Sequence, residues 1–401
     1  MWTGPSTSGI RAIASRSRPA AQAAEFGRRH YELRRDWARW VLEQLEHIRD
    51  TEDLTRVSRV KRPTIADIAR EAGVSKGAVS YALNNRPGVS DQTRARILAI
   101  ADRIGFRASA AARALAGAPA NMVGLALRRP ASTLGVEPFF MELVSGLEAE
   151  LSLRSYALLL QLVPDDDPDA EIEVYRQWWI EGRVDGVLLC DVRAADPRIP
   201  AVAEIGVPAV VIGPPTDGEL LPSLWSDDAV SVAEAVEHLA GLGHRRIARV
   251  AGIPELAHTG ARGRAFAESC DRLGVAAAPT VWTDYTGEAG AQATRELLAG
   301  RPRPTAIVYD NDIMAIAGLA TAQELGYAVP AELSIVAWDD SPVCGLVHPP
   351  LTALTRDIVA YGANAARLLL SVIAGEQANS RLDEPAHLIA RASTAPPPRE
   401  R

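Results

Sequence analysis

The chain has 401 residues, of which 47% are hydrophobic and 23% charged, and a formal net charge of −7. This length is more than one ordinary domain uses, so two or three folded units are expected. No apolar run approaches the ~18–20 residues needed to cross a bilayer, the N-terminus lacks the apolar segment of a secretory signal, and three scattered cysteines predict neither a disulfide framework nor a zinc site. We therefore expect a protein of the reducing cytoplasm.

The first 59 residues divide into two parts. The earlier stretch is rich in Ser, Gly, Pro, Ala and Arg, a composition that predicts disorder. Between residues 31 and 48, large apolar residues recur at helical spacing: Trp37, Trp40, Val41, Leu45 and Ile48. They would suit an amphipathic helix that packs on a partner surface. The alternative is an upstream extension without a role of its own, since the next domain is complete without it.

Residues 60–106 show three short helical patterns, each preceded by a residue that caps helices. The predicted caps are Thr64, with Asp67 three residues later as in a capping box, then Ser75 and Ser90. Gly73 permits a tight turn between the first two helices. The sequence therefore predicts a compact helical domain with a helix-turn-helix at its centre.

Charge is distributed unevenly along the chain. Residues 60–117 hold ten Lys and Arg against four Asp and Glu, a net charge of +6. Residues 1–59 carry +3, so residues 118–401 carry −16. A compact basic module is thus joined to a large acidic one, and only the basic module suits a phosphate backbone.

One face of the second predicted helix carries polar groups. At helical spacing these residues share that face: Lys76, Gly77, Ser80, Tyr81 and Asn84. Val79 and Leu83 point the other way and can fill a small core. A cation, a hydroxyl, a phenol and an amide suit base edges and phosphates in a major groove. The alternative is an ordinary three-helix bundle that does not bind DNA.

From residue 121 onward, apolar strand patterns alternate with helical ones. Strands are predicted at 122–127, 156–163, 186–189, 209–212, 247–251, 306–308 and 334–337. Helices are predicted among them at 140–152, 229–242, 260–273, 287–299, 312–325 and 359–374. Such alternation predicts parallel sheets covered on both faces, and about 280 residues suffice for two doubly wound lobes. The run Asp165-Asp166-Asp167 reads as a solvated turn or helix start rather than a metal site.

Residues 64–84, TIADIAREAGVSKGAVSYALN, resemble the helix-turn-helix of the LacI/GalR family of bacterial transcription regulators. Residues 112–117, ARALAG, resemble that family's hinge helix, and the resemblance continues to Thr394. It implies four segments: an N-terminal extension at 1–59, a DNA-binding domain at 60–106, a hinge helix and linker at 107–120, and a two-lobed effector-binding and dimerisation domain at 121–401. The large domain would have the fold of periplasmic binding proteins.

The resemblance implies a homodimer that binds near-palindromic double-stranded operator DNA. Lys76, Gly77 and Tyr81 would select the sequence, and Leu115 would wedge into the minor groove and bend the operator. The full set of predicted DNA-binding residues is Thr64, Ser75, Lys76, Gly77, Ser80, Tyr81, Asn84, Ala112 and Leu115. Such a protein would be associated with the nucleoid.

The resemblance also implies an effector bound between the lobes, at the carboxyl ends of the strands. We place lobe one at 121–225 plus about 356–384, and lobe two at 226–355 plus the tail. The predicted effector-binding residues are Arg128, Phe139, Arg262, Tyr285, Asn311 and Asp339. These groups suit a sugar, since they bind hydroxyls and stack on a ring. However, Gly213 stands where some sugar-binding members have aspartate, and Arg128-Arg129 could instead indicate an anionic ligand.

Other classes of protein fit less well. No GxSxG, HExxH, P-loop or GxGxxG motif stands in the structural context that would indicate an enzyme, and the seven histidines lack metal-ligand spacing. A periplasmic receptor would share the large domain but not the basic head. We expect no enzyme activity, cofactor or metal, and we favour repression because it is the more frequent outcome in the family. The tail after Thr394 has no heptads, which leaves dimer and tetramer open.

Overall fold

The computed structural model describes residues 63–106, 119–130, 135–164, 167, 169–215, 218 and 220–398. The N-terminal extension and the hinge residues Ala112 and Leu115 lie outside the described residues. The described residues form two compact units, one ending at residue 106 and the other beginning at residue 119.

The smaller unit is helical, as predicted. Its helices are α1 (Ile65–Ala72), α2 (Lys76–Leu83) and α3 (Asp91–Arg103). Each contributes one fully buried side chain to a common core: Ile68, Val79 and Ile97. The predicted caps are confirmed, since the Ala78 N–H donates to Ser75 Oγ at 3.1 Å and the Thr93 N–H donates to Ser90 Oγ at 3.3 Å. Gly73 takes φ +65°, which few other residues adopt, and so ends α1 before the turn.

The larger unit contains two six-stranded sheets, each covered by helices. In chain order its elements are β1 (Met122–Leu127), α4 (Pro138–Leu153), β2 (Ala157–Leu162), α5 (Ala170–Ile180), β3 (Gly186–Leu189), α6 (Arg198–Ile205), β4 (Ala209–Ile212), β5 (Ser223–Ser226), α7 (Asp228–Gly241), β6 (Arg246–Ala251), α8 (Ala257–Arg272), β7 (Ala276–Trp282), α9 (Gly287–Ala299), β8 (Ala306–Tyr309), α10 (Asp312–Glu324), β9 (Ser334–Trp338), α11 (Pro342–Leu346), β10 (Thr352–Thr355), α12 (Ile358–Ile373), β11 (Arg381–Asp383) and β12 (His387–Ile389). Every strand and helix predicted in this region is present.

The two sheets define two lobes. The first sheet has the order β11-β5-β4-β3-β1-β2 and is parallel throughout. The second has the order β12-β10-β9-β8-β6-β7, and only β12 runs antiparallel to its neighbour. Strands of a parallel sheet are buried on both faces, which explains why they read as continuous apolar runs. The expected pair of doubly wound lobes is confirmed.

The chain passes between the lobes three times, after β5, after β10 and after β11. The last two crossings return α12 to the first lobe and β12 to the second. In the first lobe α12 packs directly on α4: a Cβ at Gly146 would overlap the Val359 carbonyl, and one at Gly362 would overlap the Leu143 carbonyl. This close contact fixes α4, whose N-terminal end lies at the cavity described below.

Candidate functional site

The predicted DNA-contacting face of α2 is open to solvent. Lys76, Gly77 and Asn84 are exposed, Tyr81 is 45% exposed, and Ser80 is half-buried. On the opposite side of the helix Val79 and Ala82 are buried; of the two residues predicted there, Val79 is buried and Leu83 is half-buried. Ser75 and Thr64 are also exposed. All seven predicted residues of this unit that the structure describes are therefore at least partly exposed.

Local contacts stabilise the segments on either side of α2. The Thr64 N–H and hydroxyl both donate to Asp67 Oδ2, at 2.9 and 2.6 Å, which fixes the first turn of α1. Arg94 donates to Asn85 Oδ1 at 2.5 Å and to the Arg86 carbonyl at 2.8 Å. These two bonds tie α3 to the loop that follows α2. Sequence reasoning did not single out Arg94, because its role depends on a loop eight residues away.

A cavity of about 110 Å³ lies between the two lobes, where the carboxyl ends of both sheets meet. Of the predicted effector-binding residues, Phe139, Arg262, Tyr285, Asn311 and Asp339 line this cavity. The remaining one, Arg128, is not among the lining residues, whereas its neighbour Arg129 is. The rest of the wall includes Glu137, Phe140, Asp191, Gly213, Trp225, Asp228, His258, Asp310, Asp312, Arg356 and Tyr361.

Arg129 occupies the place that the sequence reasoning gave to Arg128. It is buried, and its Nε donates to Asp191 Oδ2 at 2.7 Å. Its guanidinium lies 5.1 Å from the ring centroid of Tyr285, which belongs to the other lobe. Arg128 instead lies close to Glu171: burial raises the pKa of that carboxyl, and Arg128 is one of the arginines that oppose this effect. Successive residues at a strand end point in opposite directions, so a difference of one position moves a side chain across the sheet.

Arg262 is held by three contacts in the second lobe. Its Nε donates to Asp228 Oδ2 at 2.7 Å, its Nη1 donates to the Asp310 carbonyl at 3.1 Å, and its guanidinium lies 3.5 Å from the Trp338 ring centroid. Burial alone would raise the pKa of Asp228, but Arg262 and Arg356 outweigh it and hold that pKa below its usual value. Both partners are therefore charged at neutral pH.

The Tyr285 ring lies flat against the backbone. A Cβ at Gly252 would overlap the ring, so only glycine allows this approach. The phenol bonds to His258 Nε2 and to Thr259 Oγ1, each at 2.9 Å. Burial, aided by Arg262, lowers the pKa of His258 to about 4, so the imidazole is neutral at physiological pH. The ring is thereby fixed as an aromatic wall of the cavity.

Asn311 connects the cavity to the fold of both lobes. Its Oδ1 accepts the Met314 N–H at 2.8 Å and so caps α10. Its Nδ2 donates to the Tyr285 carbonyl at 3.0 Å and reaches Glu137 Oε1 of the first lobe at 3.5 Å. Asp339 lies at the end of β9 with φ +62°, and burial raises its pKa to about 6 against the opposing effect of Arg356.

Carboxyl groups outnumber guanidinium groups in the cavity wall. The lining cations are Arg129, Arg262 and Arg356, and the lining acids are Glu137, Asp191, Asp228, Asp310, Asp312 and Asp339. Outside the lining, Arg249 pairs with Asp310 through contacts of 2.8 and 2.5 Å. The Arg128-Arg129 pair, which suggested an anionic ligand, therefore does not create a basic cavity, because Arg129 is paired with Asp191.

Several cavity residues were not identified from the sequence. Glu137, Trp225 and Arg356 come from three separate segments that only the fold brings together. Asp228 belonged to a recognised crossover pattern, but its pairing with Arg262 was not foreseen. Among the described residues, no group of three or more His, Cys, Asp and Glu side chains is arranged to hold a metal ion. None of the described helices is both long and apolar enough to cross a membrane.

Comparisons with known proteins agree with this architecture. The family model for bacterial regulatory proteins of the lacI family matches residues 64–109, and the model for a periplasmic binding protein-like domain matches residues 236–394. Catabolite control protein A of Priestia megaterium is 30% identical over 331 residues, which cover 81% of this chain and 97% of that protein.

Two solved structures are similar over most of the chain. The regulator CelR in complex with cellobiose is 29% identical with a TM-score of 0.64, and the match covers 83% of this chain and 100% of that one. The lac repressor dimer bound to operator and the anti-inducer ONPF is 25% identical with a TM-score of 0.71, and the match covers 84% and 100%. The chain therefore belongs to the LacI family of bacterial regulatory proteins, which are DNA-binding transcriptional regulators and not enzymes.

Proposed function

We propose that this protein is a homodimeric repressor whose affinity for a near-palindromic operator is controlled by a sugar or sugar derivative bound between the lobes. The observation that carries the proposal is the cavity, which combines aromatic walls with paired arginines and surplus carboxyls, in a chain that also has an exposed helix-turn-helix. The structures of similar regulators were solved with cellobiose in one case, and with operator and an anti-inducer in another.

The DNA-binding part of the proposal is supported by α2. Its solvent-exposed side presents Lys76, Tyr81 and Asn84, while its buried side is held by the core. In helix-turn-helix proteins the second helix lies in the major groove and contacts base edges. Gly77 lets the backbone approach closely, because no side chain stands there.

The effector part of the proposal is supported by the chemistry of the cavity. Phe139, Trp225 and Tyr285 offer flat apolar surfaces of the kind that stack on sugar rings. Carboxylates accept hydrogen bonds from sugar hydroxyls, and guanidiniums donate hydrogen bonds to the hydroxyl oxygens. A phosphate or carboxylate ligand would meet more acids than bases, which opposes binding.

Apolar surface on the first lobe supports a dimer. Strand β2 lies at the edge of its sheet, and Leu160 and Leu162 on it are 38% and 37% exposed. Leu153, at the end of the adjacent helix α4, is 78% exposed. Exposed apolar patches at a sheet edge often mark a site of contact with another chain. Sedimentation velocity of the wild type should give a dimer, and Leu160→Lys/Leu162→Lys should shift the population towards monomer.

The operator can be found by selection from a random double-stranded library with the purified full-length protein. We expect a site with two related half-sites about one helical turn apart, as a symmetric dimer requires. Tyr81→Ala should relax the preference at particular base pairs, whereas Arg272→Ala, a surface change in the second lobe, should leave the selected sequence unaltered. Recovery of no consensus would contradict the proposed operator specificity.

The effector can be sought by a thermal-shift screen of neutral sugars, sugar phosphates, nucleosides and small acids. A ligand that binds the folded cavity raises the melting temperature by mass action. We expect neutral sugars or their derivatives to stabilise the protein, and Asp339→Asn to abolish the effect. Stabilisation by anionic compounds alone would contradict the proposed ligand class.

A further inference from the structure

We propose that the effector carries a protonated amine that binds at Glu137, so that the ligand is an amino sugar or a similar hydroxylated amine. This inference rests on the proposed function, because it assigns a chemical class to the ligand of the same cavity. It starts from the pairing of charges in the cavity wall, where Glu137, Asp312 and Asp339 have no ion pair among the described residues.

The carboxyls of the wall differ in their partners. Asp191 is paired with Arg129 at 2.7 Å, Asp228 with Arg262 at 2.7 Å, and Asp310 with Arg249 at 2.5 Å. Each of these acids is neutralised by a guanidinium that the fold holds in place. They are therefore committed to the protein and not available to a ligand cation.

Glu137 has no such partner among the described residues. It is only 7% exposed, and it immediately precedes α4 at the cavity wall. The one hydrogen bond described for its carboxyl comes from Asn311 Nδ2 at 3.5 Å, which is the limit for such a contact. A carboxyl buried this deeply is costly to keep charged unless a cation or several donors accompany it. The missing partner is what a ligand amine would supply.

Other charged groups around Glu137 add to the deficit of positive charge. Burial has the largest effect on its carboxyl and raises its pKa to about 7; Arg129 opposes this, while Asp191, Asp339 and Asp312 reinforce it. Among the described residues no side chain or backbone group donates a hydrogen bond to the Asp339 carboxylate. Arg129, the guanidinium that opposes the effect of burial on Glu137, is already bonded to Asp191. Glu137, Asp339 and Asp312 therefore form an acidic corner of the cavity in which none of the three has an ion pair among the described residues, although Arg356 opposes the effect of burial on Asp339.

An ammonium group fits this corner better than a hydroxyl does. It has three donors and a full positive charge, so it can bond to more than one carboxylate at once. A charged hydrogen bond of this kind is worth about 1.5–3 kcal/mol, which corresponds to a roughly 10- to 100-fold gain in affinity. The aromatic walls formed by Phe139 and Tyr285 would hold the apolar side of the sugar ring. An N-acetyl group removes the charge and should lose this gain.

The test compares matched compounds on the full-length protein at pH 7. The probes are glucosamine, galactosamine and mannosamine, each beside its parent sugar and its N-acetyl derivative, together with glucose 6-phosphate. Melting temperature gives a first ranking, and titration calorimetry gives the dissociation constants. At least one amine should bind about tenfold or more tightly than its parent sugar and its N-acetyl derivative.

Two variants decide whether Glu137 is responsible for the preference for the amine over its parent sugar. Glu137→Gln keeps the shape of the side chain and should remove the preference for the amine over the parent sugar. Glu288→Gln removes an exposed carboxylate from α9 and should keep that preference. An amine preference that survives in Glu137→Gln would overturn the assignment. Tighter binding of a neutral or phosphorylated sugar would overturn the proposal of an amine ligand but would leave the proposed effector cavity standing. Failure of every compound in the wider screen to bind would overturn both proposals.

Discussion

The buried pair formed by Arg262 and Asp228 allows a quantitative test of the cavity. The side chains are 7% and 12% exposed, and their contact is 2.7 Å. In Arg262→Met the Asp228 carboxylate remains buried without its cation, and the Asp310 carbonyl loses a donor. Removing one member of a buried pair costs about 3–5 kcal/mol. Because the cavity admits water near Asp228, we expect a loss near the lower end, about 3 kcal/mol.

The assay is thermal and urea unfolding of the full-length protein. For domains of this size the loss should lower the melting temperature of the large unit by about 2–4 °C per kcal/mol, hence ~6–12 °C in total. Arg272→Met is the matched control, since Arg272 lies on the same helix and pairs with Glu237 at the surface, where both side chains are about half exposed. That substitution should cost less than about 1 kcal/mol.

Two further results separate a charge effect from lost packing. The double variant Arg262→Met/Asp228→Asn removes the unpaired charge and should recover much of the stability. In wild type the pKa of Asp228 lies below its usual value, whereas without Arg262 burial should raise it. The single variant should therefore approach the wild type in stability as pH falls and Asp228 takes up a proton. This account of the pair would be refuted by a difference in unfolding free energy between the single variant and the wild type that does not change with pH, or that is below about 1 kcal/mol.

Three other predictions concern the same two units. Gly252→Ala should displace the Tyr285 ring and lower the free energy of unfolding by about 1–3 kcal/mol through overpacking. It should also weaken effector binding without changing operator affinity. An unchanged effector affinity in calorimetry would contradict the role given to the ring. Asp339→Asn should stabilise the protein at pH 7.5 by about 1–3 kcal/mol, because burial raises the folded-state pKa of Asp339 to about 6 and the penalty for ionising it develops as pH rises between the ordinary value and this one. Urea titrations at pH 5 and 7.5 should show a gain about twice as large at the higher pH, and an equal gain at both would count against it. Ser75→Ala should remove the bond to the Ala78 N–H and cost about 1 kcal/mol, measured as faster amide exchange in α2; unaltered exchange there would show that the cap contributes little.

The sequence was most informative where structure depends on neighbours along the chain. Helix caps such as Thr64 and Ser75, the turn at Gly73 and the apolar strand runs are local features, and each was predicted at its residue. The two-lobe architecture also followed, because alternating strands and helices admit few other topologies. The face of α2 could be derived since helical periodicity alone decides which residues share it.

The cavity could be predicted only in part, because it depends on contacts between distant segments. Arg128 was expected at the wall and Arg129 is found there, since the direction of a residue just past a strand end is not fixed by its neighbours. Glu137 was not predicted at all, because its burial in the cavity wall without an ion pair is a property of the assembled lobes. Pairings such as Arg262 with Asp228 likewise join residues 34 positions apart.

The most direct test of the central claim is fluorescence anisotropy of the selected operator, titrated with the full-length protein in the presence and absence of a ligand that binds the cavity. Allosteric coupling of the usual size would change operator affinity by about 5- to 150-fold, and operator should change the affinity for the ligand by the same factor. We expect weaker operator binding with ligand for the wild type and no effect of ligand on Asp339→Asn. Equal operator affinity with and without a ligand shown to occupy the cavity would contradict control of DNA binding by this site.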